Sequence, residues 1–136
     1  MVNGFINGYY IGNWGALSDT LHYFYSYQYI IGLILFFVGA FINLKSDSML
    51  LKLKSKGLGY KIPKGFMFEK ISCPNYFGEI IQWLGFAIMT WSIPGFLFFL
   101  WTSFNLIPRA ISQHRWYKGK FDDYPKKRKA IIPYIW

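Results

Sequence analysis

The sequence predicts an all-α, multi-pass transmembrane helical bundle, and three observations carry that expectation. Hydrophobic residues make up 54% of the chain, aromatic residues 23% and charged residues only 15%, against about 25% charged in a typical soluble domain. Two long apolar stretches, 27–44 and 76–108, alternate with polar ones. All 15 Lys and Arg fall at or after Lys45, and the first 44 residues carry only Asp19. A net charge of +9 would ordinarily suggest nucleic acid. Charge that borders apolar spans reads instead as a cytoplasmic membrane face, so the lipid bilayer is the expected partner and nucleic acid is not. At 136 residues the chain is one domain at most. The single cysteine, Cys73, excludes an internal disulfide and offers no metal-ligand spacing.

Taken in order, residues 1–26 are rich in glycine and tyrosine, and Asn3, Gly4, Asn7, Gly8, Gly12, Asn13 and Gly15 interrupt any long apolar run. Positions 5–11 read either as the tail of a truncated N-terminal membrane helix or as an interfacial arm, since tyrosine suits the headgroup zone. No basic segment precedes a short apolar core with a small-residue cleavage site, so no signal peptide is expected.

Residues 27–44 are the clearest transmembrane helix, with Gly32 and Gly39 placed to let a neighbouring helix approach closely. From Ser46 to Lys54 the helical spacing continues that helix out of the membrane. The remainder of 45–75 reads as a loop, with Gly57, Gly59, Pro63, Gly65 and Pro74; the whole segment carries seven lysines against Asp47 and Glu69.

The block 76–108 is broken by Glu79 and by Pro94-Gly95. If the lysine-rich loop before it and the basic tail after it share the cytoplasmic side, the number of crossings between them is even. That favours a helical hairpin turning near Ser92 to Gly95, with arms of about 15 residues, or about 22 Å. A single Pro-kinked helix is the alternative. The expected bundle thus has about three full spans, with the C-terminal helix and tail at the cytoplasmic face.

The last 28 residues, Arg109 to Trp136, interleave nine Lys, Arg and His side chains with Trp116, Tyr117, Phe121 and Tyr124. Such a patch suits the pyrophosphate and rings of an anionic cofactor, and equally suits lipid anchoring. Arg109, Arg115 and Arg128 are candidates for bidentate phosphate contacts. His114 is a candidate phosphate donor or general acid.

Two further pairs have i,i+4 spacing and so share a helix face: Asn43 with Asp47, and Asn75 with Glu79. The first pair either binds a ligand or caps a helix end in water. Glu79 is the only charged residue between Lys70 and Arg109. A carboxylate at the edge of a span is expensive and points to a site; the alternative is first-turn placement near the positive end of the helix dipole. No GxGxxG is present, so no soluble dinucleotide fold is expected.

Several longer motifs carry a resemblance: INLKSD (Ile42 to Asp47), GYKIPKG (Gly59 to Gly65), FEKISCPNYFGEIIQW (Phe68 to Trp83), TWSIP (Thr90 to Pro94), NLIPRA (Asn105 to Ala110) and HRWYKGKFDDYPKKRKAIIPYIW (His114 to Trp136). In this order they resemble the C-terminal half of the steroid 5α-reductase family, the 3-oxo-5α-steroid 4-dehydrogenases, over nearly the whole chain. A weaker relation runs to the trans-2-enoyl-CoA reductases.

The resemblance implies a multi-pass protein of the endoplasmic reticulum, or of the inner membrane in a prokaryote. NADPH would deliver hydride to the β-carbon of an enone in a steroid-like lipid. It implies an NADPH-binding set matching Asn43, Asp47, Tyr60, Asn75, Glu79, Arg109, Tyr117 and Arg128, to which His114 is added as a candidate. Lys54 and Lys61 stand where some relatives have Arg, keeping the charge but losing the bidentate fork. The family's histidine cluster is reduced to Ser112-Gln113-His114.

Family members carry roughly another hundred residues before the part matching Met1. Those helices supply the carboxylate and tyrosine that polarise the substrate ketone, so the catalytic residues are unknown here and the missing helices are an expected partner. The competing readings are a non-catalytic membrane fragment that needs a partner, and a methyltransferase of the isoprenylcysteine type.

Overall fold

The computed structural model describes residues 25–55 and 61–133. The expectations for the N-terminal segment and for Tyr60 lie outside these residues. Three helices account for most of the described chain: α1 (Tyr27–Ser55), α2 (Pro74–Thr90) and α3 (Ile93–Lys120), with a 3-10 turn at Phe66–Glu69. At 1.5 Å per residue α1 is about 43 Å long, α2 about 25 Å and α3 about 42 Å. Among the described residues one helix, α1, is long and apolar enough to cross a membrane.

The first helix continues past Lys45 to Ser55, as its spacing predicted. This puts Asn43 and Asp47 in the helix interior, so they do not cap a helix end. α2 lies between the other two helices and runs antiparallel to each. Against α1 the contact is backbone on backbone. A Cβ on Gly32 would fall within 3.0 Å of Gly85 O and the Met89 backbone, and one on Gly39 as close to Gly78 O and the Gln82 backbone. Gly78 and Gly85 meet the backbones of Asn43 and Phe36 in the same way. Each helix therefore contributes two glycines seven residues apart, a spacing that returns to the same helix face after two turns. Small residues are what allow such close approach between helices in lipid.

The turn between α2 and α3 is tighter and earlier than expected. It occupies Trp91 and Ser92, with Trp91 in the left-handed region (φ 45°, ψ 42°) and its N–H donating to Ala87 O at 3.0 Å. Ser92 caps α3 by accepting from Gly95 N at 3.2 Å. Pro94 and Gly95 belong to the first turn of α3, because proline there forfeits only an N–H that has no helical partner. The two helices then double back: Gly95 faces Ala87, Trp83 packs on Phe98 at 4.3 Å between centroids, and Cys73 reaches Ala110 O. The hairpin reading thus holds for the path of the chain, with a second arm extending to Lys120.

Two antiparallel pairs bring the C-terminal end of α1, the start of α2 and the polar half of α3 to one end of the layer. The buried hydrophobic residues concentrate there, including Phe68, Ile71, Cys73, Ala110, Tyr117, Tyr124, Ala130 and Ile131. Along the other half, Ile34, Phe37 and Phe41 of α1 and Phe96, Trp101 and Phe104 of α3 remain exposed. This is the pattern expected of helices whose outer faces meet lipid tails.

Candidate functional site

After α3 ends at Lys120 the chain turns back and threads beside the segment preceding α2. Lys129 N donates to Lys70 O at 2.9 Å, Ser72 N to Lys129 O at 2.8 Å, and Cys73 N to Ala130 O at 3.2 Å. These bonds form a short parallel bridge between Ile71 and Lys129. They carry Arg128, distant in sequence, into the packed end of the molecule.

One hydrogen bond joins the two i,i+4 pairs seen in the sequence. Asn43 Nδ2 donates to Asn75 O at 3.2 Å across the α1–α2 contact. Asp47, Glu79 and Arg109 all lie within electrostatic reach of Tyr76, so the structure gathers Asn43, Asp47, Asn75, Glu79 and Arg109 around the start of α2. Glu79 is the sixth residue of that helix, beyond its first turn, which removes the dipole explanation for the carboxylate. Arg109 is exposed and follows Pro108, whose missing N–H leaves Phe104 O without its usual helical donor.

The second group is aromatic and cationic. Phe121 and Tyr124 stack on Tyr117 at 6.0 and 5.6 Å, with interplanar angles of 25° and 16°. The Arg128 guanidinium lies 5.1 Å over the Tyr124 ring. Arg128 is only 2% exposed, and among the described residues its Nε has no hydrogen-bond partner. A buried N–H without a partner is costly, and an anionic acceptor would satisfy it. Burial pushes the Tyr117 phenol above its ordinary value, opposed by a hydrogen bond with Gln113 and by the charge of Arg128. The phenol stays protonated at neutral pH and can donate.

His114 Nδ1 meets Ser72 Oγ at 2.5 Å. Burial, then the charges of Lys118, Arg128 and Lys129, hold the imidazole below its ordinary value, so it is neutral at pH 7 and poorly suited as a cationic phosphate donor. Burial pushes the Cys73 thiol up to about 12, which leaves it an inert packing group.

Cys73 lies between the two groups in the chain's packing, against Ala110 and beside Tyr76. Cations and stacked rings stand in one group, and amides and carboxylates in the other. An extended polyanion bearing ring systems and hydroxyls matches that distribution.

The family model described as 3-oxo-5-alpha-steroid 4-dehydrogenase matches residues 1–136. The chain belongs to this family. It is 46% identical over 138 residues to the steroid 5-alpha-reductase DET2 of Gossypium hirsutum, covering all of this chain and 53% of that protein. It is 40% identical over 134 residues to the 3-oxo-5-alpha-steroid 4-dehydrogenase 1 of Rattus norvegicus, covering 98% of this chain and 51% of the relative. The human protein of the same name is matched at 40%, over 98% of this chain and 50% of its own length. The chain thus spans about half the length of the curated steroid 5-alpha-reductases it matches, and those relatives are oxidoreductases.

Within this family member, sequence reasoning missed Ser72 and Tyr76 and left Tyr124 out of the candidate set. Ser72 is 4% exposed and Tyr124 5%. Nothing local distinguishes a serine in a Lys-Ile-Ser-Cys-Pro segment, because its partners lie 42, 52 and 57 residues away.

Proposed function

We propose that this chain is the NADPH-holding, C-terminal membrane domain of a reductase acting on the conjugated C=C bond of a 3-oxo-Δ4-steroid or similar lipid enone. The observation that carries the reading is the buried Arg128 with its orphaned Nε, set against a stack of three aromatic rings in a steroid 5-alpha-reductase relative. NADPH, when bound, would supply hydride to the β-carbon of the enone.

The chain's own part is to bind and orient. Arg128 and Arg109 would take phosphate oxygens by charge-assisted hydrogen bonds. Asp47 and Glu79 would accept from hydroxyl groups, and the amides of Asn43 and Asn75 can both donate and accept. Tyr117 would donate its phenolic hydrogen.

Calorimetry or cofactor fluorescence with the detergent-purified chain tests this. Arg128→Gln and Glu79→Gln are each expected to weaken NADPH binding about 10- to 100-fold, the scale of a hydrogen bond involving a charged group. Unchanged affinity in both variants would overturn the site.

The same reading makes the protein multi-pass, with the polar end on the cytoplasmic side of the endoplasmic reticulum or an equivalent membrane. Cysteines introduced at Lys54 and Lys127 should then label from the same side of sealed vesicles. Labelling from opposite sides would exclude that topology.

A further inference from the structure

The Ser72 hydroxyl makes three contacts at once: Lys129 O at 3.0 Å, Tyr124 OH at 2.6 Å and His114 Nδ1 at 2.5 Å. A serine hydroxyl has one hydrogen to give and two lone pairs. Lys129 O can only accept. If the hydrogen went to His114 or to Tyr124, the hydroxyl and carbonyl oxygens would face each other at 3.0 Å with no hydrogen between them. All three contacts become hydrogen bonds in one arrangement only. Ser72 donates to Lys129 O, and both Tyr124 O–H and His114 Nδ1–H donate to Ser72 Oγ.

That arrangement leaves the hydrogen of neutral imidazole on Nδ1 and a lone pair on Nε2. Among the described residues no hydrogen bond reaches Nε2. We propose that Ser72 is a positioning residue which fixes His114 as the Nδ1–H tautomer, so that Nε2 offers an acceptor to a hydroxyl or amide N–H of the bound ligand. His114 thereby contacts the ligand as a base-like acceptor, neither a phosphate donor nor a general acid. The same hydroxyl ties Tyr124, and so the ring beneath the Arg128 guanidinium, to the start of α2. The ligand half of this proposal rests on the cofactor reading above; the tautomer half does not.

Imidazole 15N–1H correlation spectra of the detergent-solubilised chain test it, with His114→Gln used to separate His114 from His22. The expected spectrum shows His114 protonated at Nδ1 and bare at Nε2. Ser72→Ala should lose this signature in favour of the Nε2–H form that free imidazole prefers. Ser72→Thr, which retains the hydroxyl, should keep it.

An Nε2–H tautomer in the parent chain overturns the proposal, and so does an Nδ1–H signature that persists in Ser72→Ala or vanishes in Ser72→Thr. Adding NADPH should shift the Nε2 resonance. If NADPH binds and that resonance does not move, the ligand contact is wrong. If NADPH does not bind, the cofactor reading falls while the tautomer assignment stands on its own spectra.

Discussion

Along the α1–α2 contact, four glycines let two backbones meet with almost no side chain between them, and the outer faces keep Ile34, Phe37, Phe96 and Trp101 exposed. At the polar end the packing is of the kind found in a water-soluble domain. Cys73, Ala110 and Ile131 form a closed cluster flanked by Tyr76, Phe77, Ile80, Ile107 and Ile132, and the tail is fastened by backbone hydrogen bonds. The difference follows from the solvent. Lipid tails give no hydrophobic reward for burying leucine against leucine, so close packing and small residues must hold the helices. Water does give that reward, and the polar end builds a core, in which Arg128 is buried.

The largest effect is expected at Gly39. A Cβ there has no room between two backbones, so Gly39→Val is expected to cost about 3 kcal/mol or more, read as a lost or strongly lowered thermal transition in detergent. An unchanged transition would remove the backbone contact.

A smaller effect of opposite kind is expected at the other end. Arg128→Met replaces a buried guanidinium, whose Nε has no hydrogen-bond partner among the described residues, with an apolar chain of similar length. It should leave stability unchanged or raise it by about 1 kcal/mol or more, while NADPH no longer raises the melting temperature. A large loss of stability without NADPH would show that Arg128 is structural.

The smallest effect concerns pH. Because the folded chain holds His114 below its ordinary value, the unfolded state binds more protons as the pH falls below about 6.5. The contribution of His114 is therefore complete above that pH and is lost as the pH falls through the folded value. His114→Gln should flatten the acid-side decline in melting temperature relative to the parent. Identical slopes would argue that His114 is not buried among the cations of Lys118, Arg128 and Lys129.

Much of this architecture is legible in the sequence. The run from Tyr27 to Ser55 announces its helix through uninterrupted apolar character followed by helical spacing. Gly32 and Gly39 announce a close neighbour. The pairs Asn43/Asp47 and Asn75/Glu79 each share a helix face by spacing, which leaves a binding role and a merely local one both open. These are local signals, set by the 3.6-residue repeat and by the cost of placing polar groups beside lipid.

Which distant groups meet depends on contacts that form only when the chain folds. The sequence shows Arg128 as one of four consecutive basic residues, Lys126 to Lys129, and no periodicity says that one of them turns inward. The return of the tail against Ile71 to Cys73 buries Arg128 and gives Ser72 its three partners. The turn at Trp91 brings Ala110 to Cys73. Composition, helix length and face polarity are properties of neighbouring residues and belong to the sequence. Burial of a particular cation and the hydrogen count on a particular serine depend on contacts across tens of residues, and those exist only once the chain has closed on itself.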